Sequence, residues 1–222
     1  MAKLYFRYGA MNSGKSTALL QAAHNYEERG QRVLLAKPQV DRKGDRDIVS
    51  RLGVSRPADF TISPDDDIVA AFDRERRLVK AGSGRDVSCL LIDEAQFLTP
   101  DQADDLLRIA ILDGVPVLAY GIRTDFQTVA FPGSRRLLEI AHSLEELKTI
   151  CRCGRKAMFN ARRVGSRFVF DGNQVAIDTF EDVTYESLCG QCYLRESQGT
   201  LGRPRSAAPA FSYTSGPDPD FT

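Results

Sequence analysis

The sequence predicts an α/β fold: a P-loop NTPase-type parallel sheet flanked by helices, plus a small zinc-ribbon-like β lobe. Three observations lead there. Apolar strand-like runs alternate with helical patterns over residues 1–150, which is the signature of a parallel sheet. A glycine-rich phosphate-binding pattern, Gly9-Ala10-Met11-Asn12-Ser13-Gly14-Lys15-Ser16, joins the first strand to the first helix. Beyond residue 150 helical periodicity stops, and four of the five cysteines form two close pairs.

The elements follow in order. Residues 4–8 read as a short buried strand. Residues 16–29 carry Leu19, Leu20, Ala23 and Tyr26 at helical spacing and stop at Gly30. Residues 33–36 are a second strand, completing a βαβ unit. Residues 38–63 are polar and weakly periodic, and predict a long loop with one edge strand. Residues 65–81 form a helix that starts at Ser63-Pro64. Residues 89–92 are an apolar strand closed by Asp93-Glu94. Residues 100–112 form a helix with Thr99 as N-cap and Gly114 as its stop. Residues 115–120 are a strand, with Pro116 near its start. A loop over 122–133 holds Phe126 and Phe131. A short helix over 134–142 leads to a last strand over 146–150. In the second lobe, β-like pieces at 157–163 and 167–170 are bounded by Gly165-Ser166 and Gly172-Asn173. This divides the chain into a nucleotide-binding domain (1–150), a zinc-binding lobe (151–197) and a disordered tail (198–222) rich in Gly, Pro, Ser and Ala.

Composition sets further bounds. The 222 residues are 42% hydrophobic and 27% charged, ordinary for a globular chain. Thirty basic residues balance thirty acidic ones, so the net charge is zero. Tight non-specific binding to nucleic acid needs a surplus of cations, and no nucleic-acid partner is expected. No apolar run is long enough to span a membrane. Met1-Ala2-Lys3 leads directly into a strand without the features of a signal peptide, so a cytoplasmic location is expected.

The motifs carry the chemistry. Gly9 and Gly14 permit a turn that aims backbone N–H groups inward as an anion nest, and the following helix adds its dipole. Lys15 can reach the β- and γ-phosphates of ATP, and the Ser16 hydroxyl can ligate Mg²⁺. Such loops work with an acid at the end of a second strand. Asp93 and Glu94 supply two. Neighbouring side chains on a strand diverge, so one can face the metal and the other an acceptor. Cys151, Cys153, Cys189 and Cys192 match a four-thiolate structural Zn²⁺ site, with disulfides or free thiols as the competing readings. Cys89, inside an apolar strand, reads as inert core. His24 and His142 lack local partners and read as surface or structural.

At this point the chain resembles the zinc-containing (type II) thymidine kinases, from its N-terminus to about Tyr193. The resemblance is carried by Gly-Ala-Met-Asn-Ser-Gly-Lys-Ser at 9–16, Asp-Glu-Ala-Gln-Phe at 93–97, Tyr-Gly-Ile-Arg-Thr-Asp-Phe at 120–126, Leu-Lys-Thr-Ile-Cys-Arg-Cys-Gly-Arg-Lys-Ala at 147–157 and Tyr-Glu-Ser-Leu-Cys-Gly-Gln-Cys-Tyr at 185–193. It implies phosphoryl transfer from ATP to the 5′-hydroxyl of thymidine, or of deoxyuridine, by a homotetramer. It implies Glu94 as general base and Asp93 near Mg²⁺, with 9–16 and Asp93, Glu94, Ala95 and Gln96 handling the nucleotide. It implies a nucleoside pocket of Met11, Phe97, Ile122, Phe126, Phe131, Ile177 and Tyr185, closed by a lasso-like loop over about 170–185. This sequence has Asp178-Thr179 where relatives often have Gly-Gly. Arg42, Arg46 and Arg51 are the candidates for assisting transfer.

Two other functions fit the phosphate loop. One is an ATPase of the recombinase or helicase type, with Glu94 activating water. The neutral charge and the lack of an extended basic patch oppose it. The other is a non-catalytic nucleotide-binding regulator, which the intact Lys15, Asp93 and Glu94 oppose.

Overall fold

The computed structural model describes residues 1–39, 46–172 and 183–202. In chain order the first part is β1 (Leu4–Tyr8), α1 (Lys15–Glu28), β2 (Arg32–Pro38), β3 (Asp47–Val49), β4 (Ser55–Pro57), β5 (Phe60–Ile62), α2 (Ile68–Ser83), β6 (Val87–Ile92), a 3₁₀ turn (Ala95–Phe97), α3 (Pro100–Leu112), β7 (Val117–Gly121), α4 (Pro132–Ile140) and β8 (Ser143–Glu146). The lobe follows as β9 (Thr149–Ile150), β10 (Lys156–Ala157), β11 (Phe159–Val164), β12 (Arg167–Val169), β13 (Val183–Leu188) and α5 (Gly190–Glu196).

Six strands form one parallel sheet in the order β5-β2-β6-β7-β1-β8. Alternation along each strand builds a core on both faces. Phe6, Leu34, Ala36, Leu90, Ile92, Val117 and Ala119 point one way, into a cluster with Phe72 of α2, Leu106 of α3 and Leu137 of α4. Val33, Leu35, Cys89, Leu91, Leu118 and Tyr120 point the other way, onto Leu19, Leu20 and Ala23 of α1. Cys89 is fully buried there, and burial pushes its thiol up to about 12, in keeping with an inert core residue.

The expected elements stand with corrections. The loop expected over 38–63 holds β5, at the sheet edge, and the antiparallel hairpin β3–β4. Gly53 turns that hairpin with φ of +84°. Ile48 packs against α1, and Arg56 donates two hydrogen bonds to Glu27 of α1 at 2.9 and 2.8 Å. The second helix is capped by Asp67, which accepts from the Ala70 N–H, and not by Ser63-Pro64. The helix expected over 134–142 starts two residues earlier, at Pro132. The strand expected over 146–150 is two strands. β8 belongs to the main sheet, whereas β9 pairs with β10 in the lobe. Thr149 and Ile150 thus pair with Ala157 and Lys156.

Within the lobe, β12, β11 and β13 form an antiparallel sheet, and α5 is a helix that the sequence pattern did not suggest. Its seven residues are too few to show a helical period. A turn over residues 197–199 follows, in which the Gly199 N–H donates to the Leu194 carbonyl at 2.8 Å. The expectation of disorder for the remainder, like those for Arg42, Ile177 and Asp178-Thr179, lies outside the described residues.

One close approach matters for the site. The turn after β6 rests on the start of α4 at Gly133, where an added Cβ would lie 2.7 Å from the Ala95 carbonyl oxygen and 2.6 Å from that of Leu98. Backbone cannot yield as a side-chain tip can. Gly133→Ala is expected to destabilise the fold by about 1–3 kcal/mol. Its denaturation midpoint reports this, and an unchanged midpoint would show that the turn is not held against α4.

Candidate active site

The glycine-rich loop after β1, Asp93 and Glu94 after β6, and Ile122 after β7 lie at the carboxyl edge of the sheet, where ligands of parallel α/β sheets bind. The phosphate loop connects β1 to α1. Gly9 is required because an added Cβ would meet the Leu147 carbonyl at 2.5 Å. Gly14 stands in the left-handed region with φ of +76° and leads into α1, whose first residue is Lys15. Asn12 is also left-handed, at φ of +65°. Left-handed residues alternating with others, as at Asn12 and Gly14 on either side of Ser13, turn neighbouring N–H groups to one side. The buried Ser13 hydroxyl has no hydrogen-bond partner among the described residues.

The Lys15 side chain is buried, and its ammonium donates to the Ala10 carbonyl at 3.0 Å. Burial lowers its pKa, while the charges of Glu94 and Asp93 raise it. Ser16 donates from Oγ to Asp93 Oδ2 at 3.0 Å. Asp93 is pushed up to about 6, first by burial and second by the Glu94 charge. Hydrogen bonds from Ser16 and from the Glu94 N–H oppose that shift.

Glu94 adopts φ of +51°, a region that a non-glycine residue rarely occupies. It separates the two acids: Asp93 continues the strand, and Glu94 turns into the cleft. Its carboxylate accepts from Gln96 Nε2 at 2.5 Å, and Gln96 Oε1 accepts from the Ile122 N–H at 3.2 Å. Ala95 and Gln96 are buried beneath the cleft floor. The amide of Gln96 thus ties the acid turn to the end of β7. Gly121 makes room for it, since an added Cβ would sit 2.8 Å from Gln96 Oε1.

A cleft of about 690 Å³ brings these groups together. Met11, Gly14, Lys15, Ser16, Glu94 and Ile122 line it, as do Val49, Arg51 and Leu52 from the β3–β4 hairpin. Arg46 donates instead to the carbonyls of Ala58 and Asp59.

The expected aromatic residues lie around the loop over 122–133. Phe97 and Phe131 meet edge to face, with ring centroids 5.5 Å apart. Phe126 is buried, and the Arg162 guanidinium covers its ring at 3.9 Å. Tyr185 pairs with Arg162 across β13 and β11. Asn160, Arg162 and Ser187 also approach this region, although no local pattern in the sequence marks them. The histidines are ordinary. His24 is exposed beside Glu28, and His142 accepts from the Leu4 N–H.

In the lobe, Cys151, Cys153, Cys189 and Cys192 converge, with all four sulfurs within 4.8 Å of one another. Their thiols are free. Tetrahedral zinc with bonds of about 2.3 Å needs sulfurs roughly 3.8 Å apart, so the set fits that ion. The Cys192 N–H donates to the Cys189 sulfur and holds that thiol down to about 6, which favours the thiolate a metal requires.

Comparison with known proteins agrees with this arrangement. A family model described as thymidine kinase matches residues 2–193. The thymidine kinase of Ruegeria pomeroyi is 48% identical, over 91% of this chain and 98% of its own length. That of Idiomarina loihiensis is 51% identical, over 78% and 91%. That of enterobacteria phage T4 is 46% identical, over 85% and 94%. With the phosphate loop, the paired acids and the clustered thiols in place, the chain belongs to the thymidine kinase family and has the cysteine cluster typical of its zinc-containing type.

Proposed function

We propose that this enzyme transfers the γ-phosphate of ATP to the 5′-hydroxyl of thymidine, giving dTMP and ADP. The observation that carries this reading is a single cleft shared by Lys15, Ser16, Glu94, Met11 and Ile122. Phosphate-holding groups and an acid able to receive a hydroxyl proton therefore face one space.

The loop N–H groups and Lys15 would hold the β- and γ-phosphates. Ser16 and Asp93 would hold Mg²⁺, which supplies charge neutralisation when bound. Arg51 lines the cleft and Arg46 does not, so of the two candidate arginines among the described residues Arg51 is the one we assign to the phosphates. Glu94 accepts the proton of the thymidine 5′-hydroxyl as its oxygen bonds to the γ-phosphorus. The bond from that phosphorus to the bridging oxygen breaks, and its electron pair leaves with ADP. Met11, Ile122, Phe97, Phe126, Phe131 and Tyr185 would surround the nucleoside. The four cysteines would hold a structural zinc ion that fixes the lobe against the cleft. A homotetramer acting in the cytoplasm belongs to the same reading. Among the described residues, no helix is long and apolar enough to cross a membrane.

Incubation of the protein with ATP and each of several nucleosides, deoxyuridine included, tests the reaction. Formation of dTMP is expected, and ADP release without dTMP would instead support the nucleic-acid ATPase. Glu94→Gln is expected to keep ATP binding while kcat falls at least about a hundredfold. Near-normal turnover would remove Glu94 from its role. Asp93 is an acid with a raised pKa, so it is protonated below about pH 6 and ionised above it. A proton and Mg²⁺ therefore compete for Asp93, and the apparent Mg²⁺ affinity read from turnover at subsaturating Mg²⁺ should fall as the pH drops through about 6. A flat profile between pH 5 and 7 would contradict the assignment. Metal analysis should find about one zinc per chain, with chelation unfolding the lobe. A metal-free protein with native circular dichroism and full activity would contradict the four-thiolate site.

A further inference from the structure

One buried side chain joins the two halves of the cleft and belongs to neither. Asn160 lies on β11, 2% exposed. Its Oδ1 accepts from the Met11 N–H at 2.7 Å, and its Nδ2 donates to the Thr124 carbonyl at 2.9 Å. Met11 belongs to the phosphate loop. Thr124 opens the loop that carries Phe126, and it bridges to Ala130 at the loop's other end. Only one orientation of the amide satisfies both partners, because a flipped amide would face donor to donor and acceptor to acceptor.

The contact is reinforced from the same rung of the lobe. Ser187 pairs with Asn160 across β13 and β11, and its hydroxyl donates to the Met11 carbonyl. Both polar backbone groups of Met11 are thus engaged by lobe side chains. Thr149 Oγ1 donates to the next carbonyl, that of Asn12, at 3.3 Å.

We propose that Asn160 is a positioning residue that sets the spacing between the phosphate-holding loop and the nucleoside-holding loop. This inference rests on the kinase reading above. Transfer needs the acceptor oxygen and the γ-phosphorus to approach within about 3–3.5 Å, and a misplacement of about 1 Å can cost a hundredfold in rate. Losing a strut between the two loops disturbs their relative placement more than the grip of either loop on its own substrate. Its signature is therefore a loss in kcat and not in KM. A second signature is uncoupling, because a γ-phosphate out of register with the hydroxyl remains open to water.

The test compares wild type, Asn160→Ala and Ser187→Ala, each normalised to zinc-loaded chains and assayed for dTMP and ADP. Asn160→Ala is expected to lower kcat about 10–100-fold, with both KM values within about threefold of wild type and the ADP-to-dTMP ratio above the wild-type ratio. Ser187→Ala should shift kcat and the ratio in the same direction by less. Wild-type kcat in zinc-loaded Asn160→Ala overturns the proposal, and so does a loss confined to the KM of one substrate. If Asn160→Ala does not retain zinc, Ser187→Ala decides alone, and an unchanged kcat and product ratio overturn the proposal. Absence of dTMP from the wild type would instead overturn the kinase reading itself.

Discussion

The site is organised around a buried ammonium facing two carboxylates. Lys15 sits at the start of α1 with little access to water, and Asp93 and Glu94 end a strand that is not adjacent to β1. An isolated buried cation would be neutralised or expelled, so the carboxylates and the lysine require one another. β7 lies between β1 and β6 and must close the distance between them without filling it. It does so at Gly121. Its carbonyl accepts from the Gly9 N–H at 3.2 Å, and its missing side chain leaves the space occupied by the Gln96 amide. The phosphate loop and the acid turn are thereby fixed to one residue from opposite sides.

That arrangement explains the role of the lobe. Its own core is small: Cys151, Cys189, Cys192, Ala157, Ala161, Leu188 and Tyr193, with Phe159, Phe168 and Phe170 packed against them. So small a unit has little to hold its shape, and a metal ion on the four clustered thiols would cross-link it. Its rigidity matters because β11 and β13 project side chains onto Met11, and Tyr193 donates from its hydroxyl to the Phe126 carbonyl at 2.7 Å. The lobe that carries the four cysteines is thus tied to the cleft through ordinary hydrogen bonds.

Legibility in the sequence followed the range of the interaction. The helix over 100–112 was readable to the residue because its signals are local. Thr99 and Gln102 form a reciprocal capping box, Pro100 occupies the first turn, and Gly114 follows the end. The glycine-rich loop at 9–16 and the acid pair at 93–94 stand out as motifs because the chemistry they suggest restricts residue type and spacing. The hairpin β3–β4 was missed because its strands have three residues each and carry arginine, serine and aspartate. Periodicity has little to act on at that length. The division of residues 143–150 between two sheets is set by their pairing partners, which local pattern does not encode. Asn160 and Ser187 meet Met11 across 149 and 176 residues of chain, and nothing near them in sequence marks the contact.

The central claim is that one cleft holds both halves of the transfer. A crystal structure with ADP, Mg²⁺ and thymidine bound tests it most directly. The account predicts the ADP β-phosphate against the loop N–H groups and Lys15. It also predicts the thymidine 5′-oxygen within about 3 Å of the Glu94 carboxylate, on a line toward the vacant γ-position. Thymidine bound away from Glu94, or phosphates held outside the loop at 9–16, would contradict it.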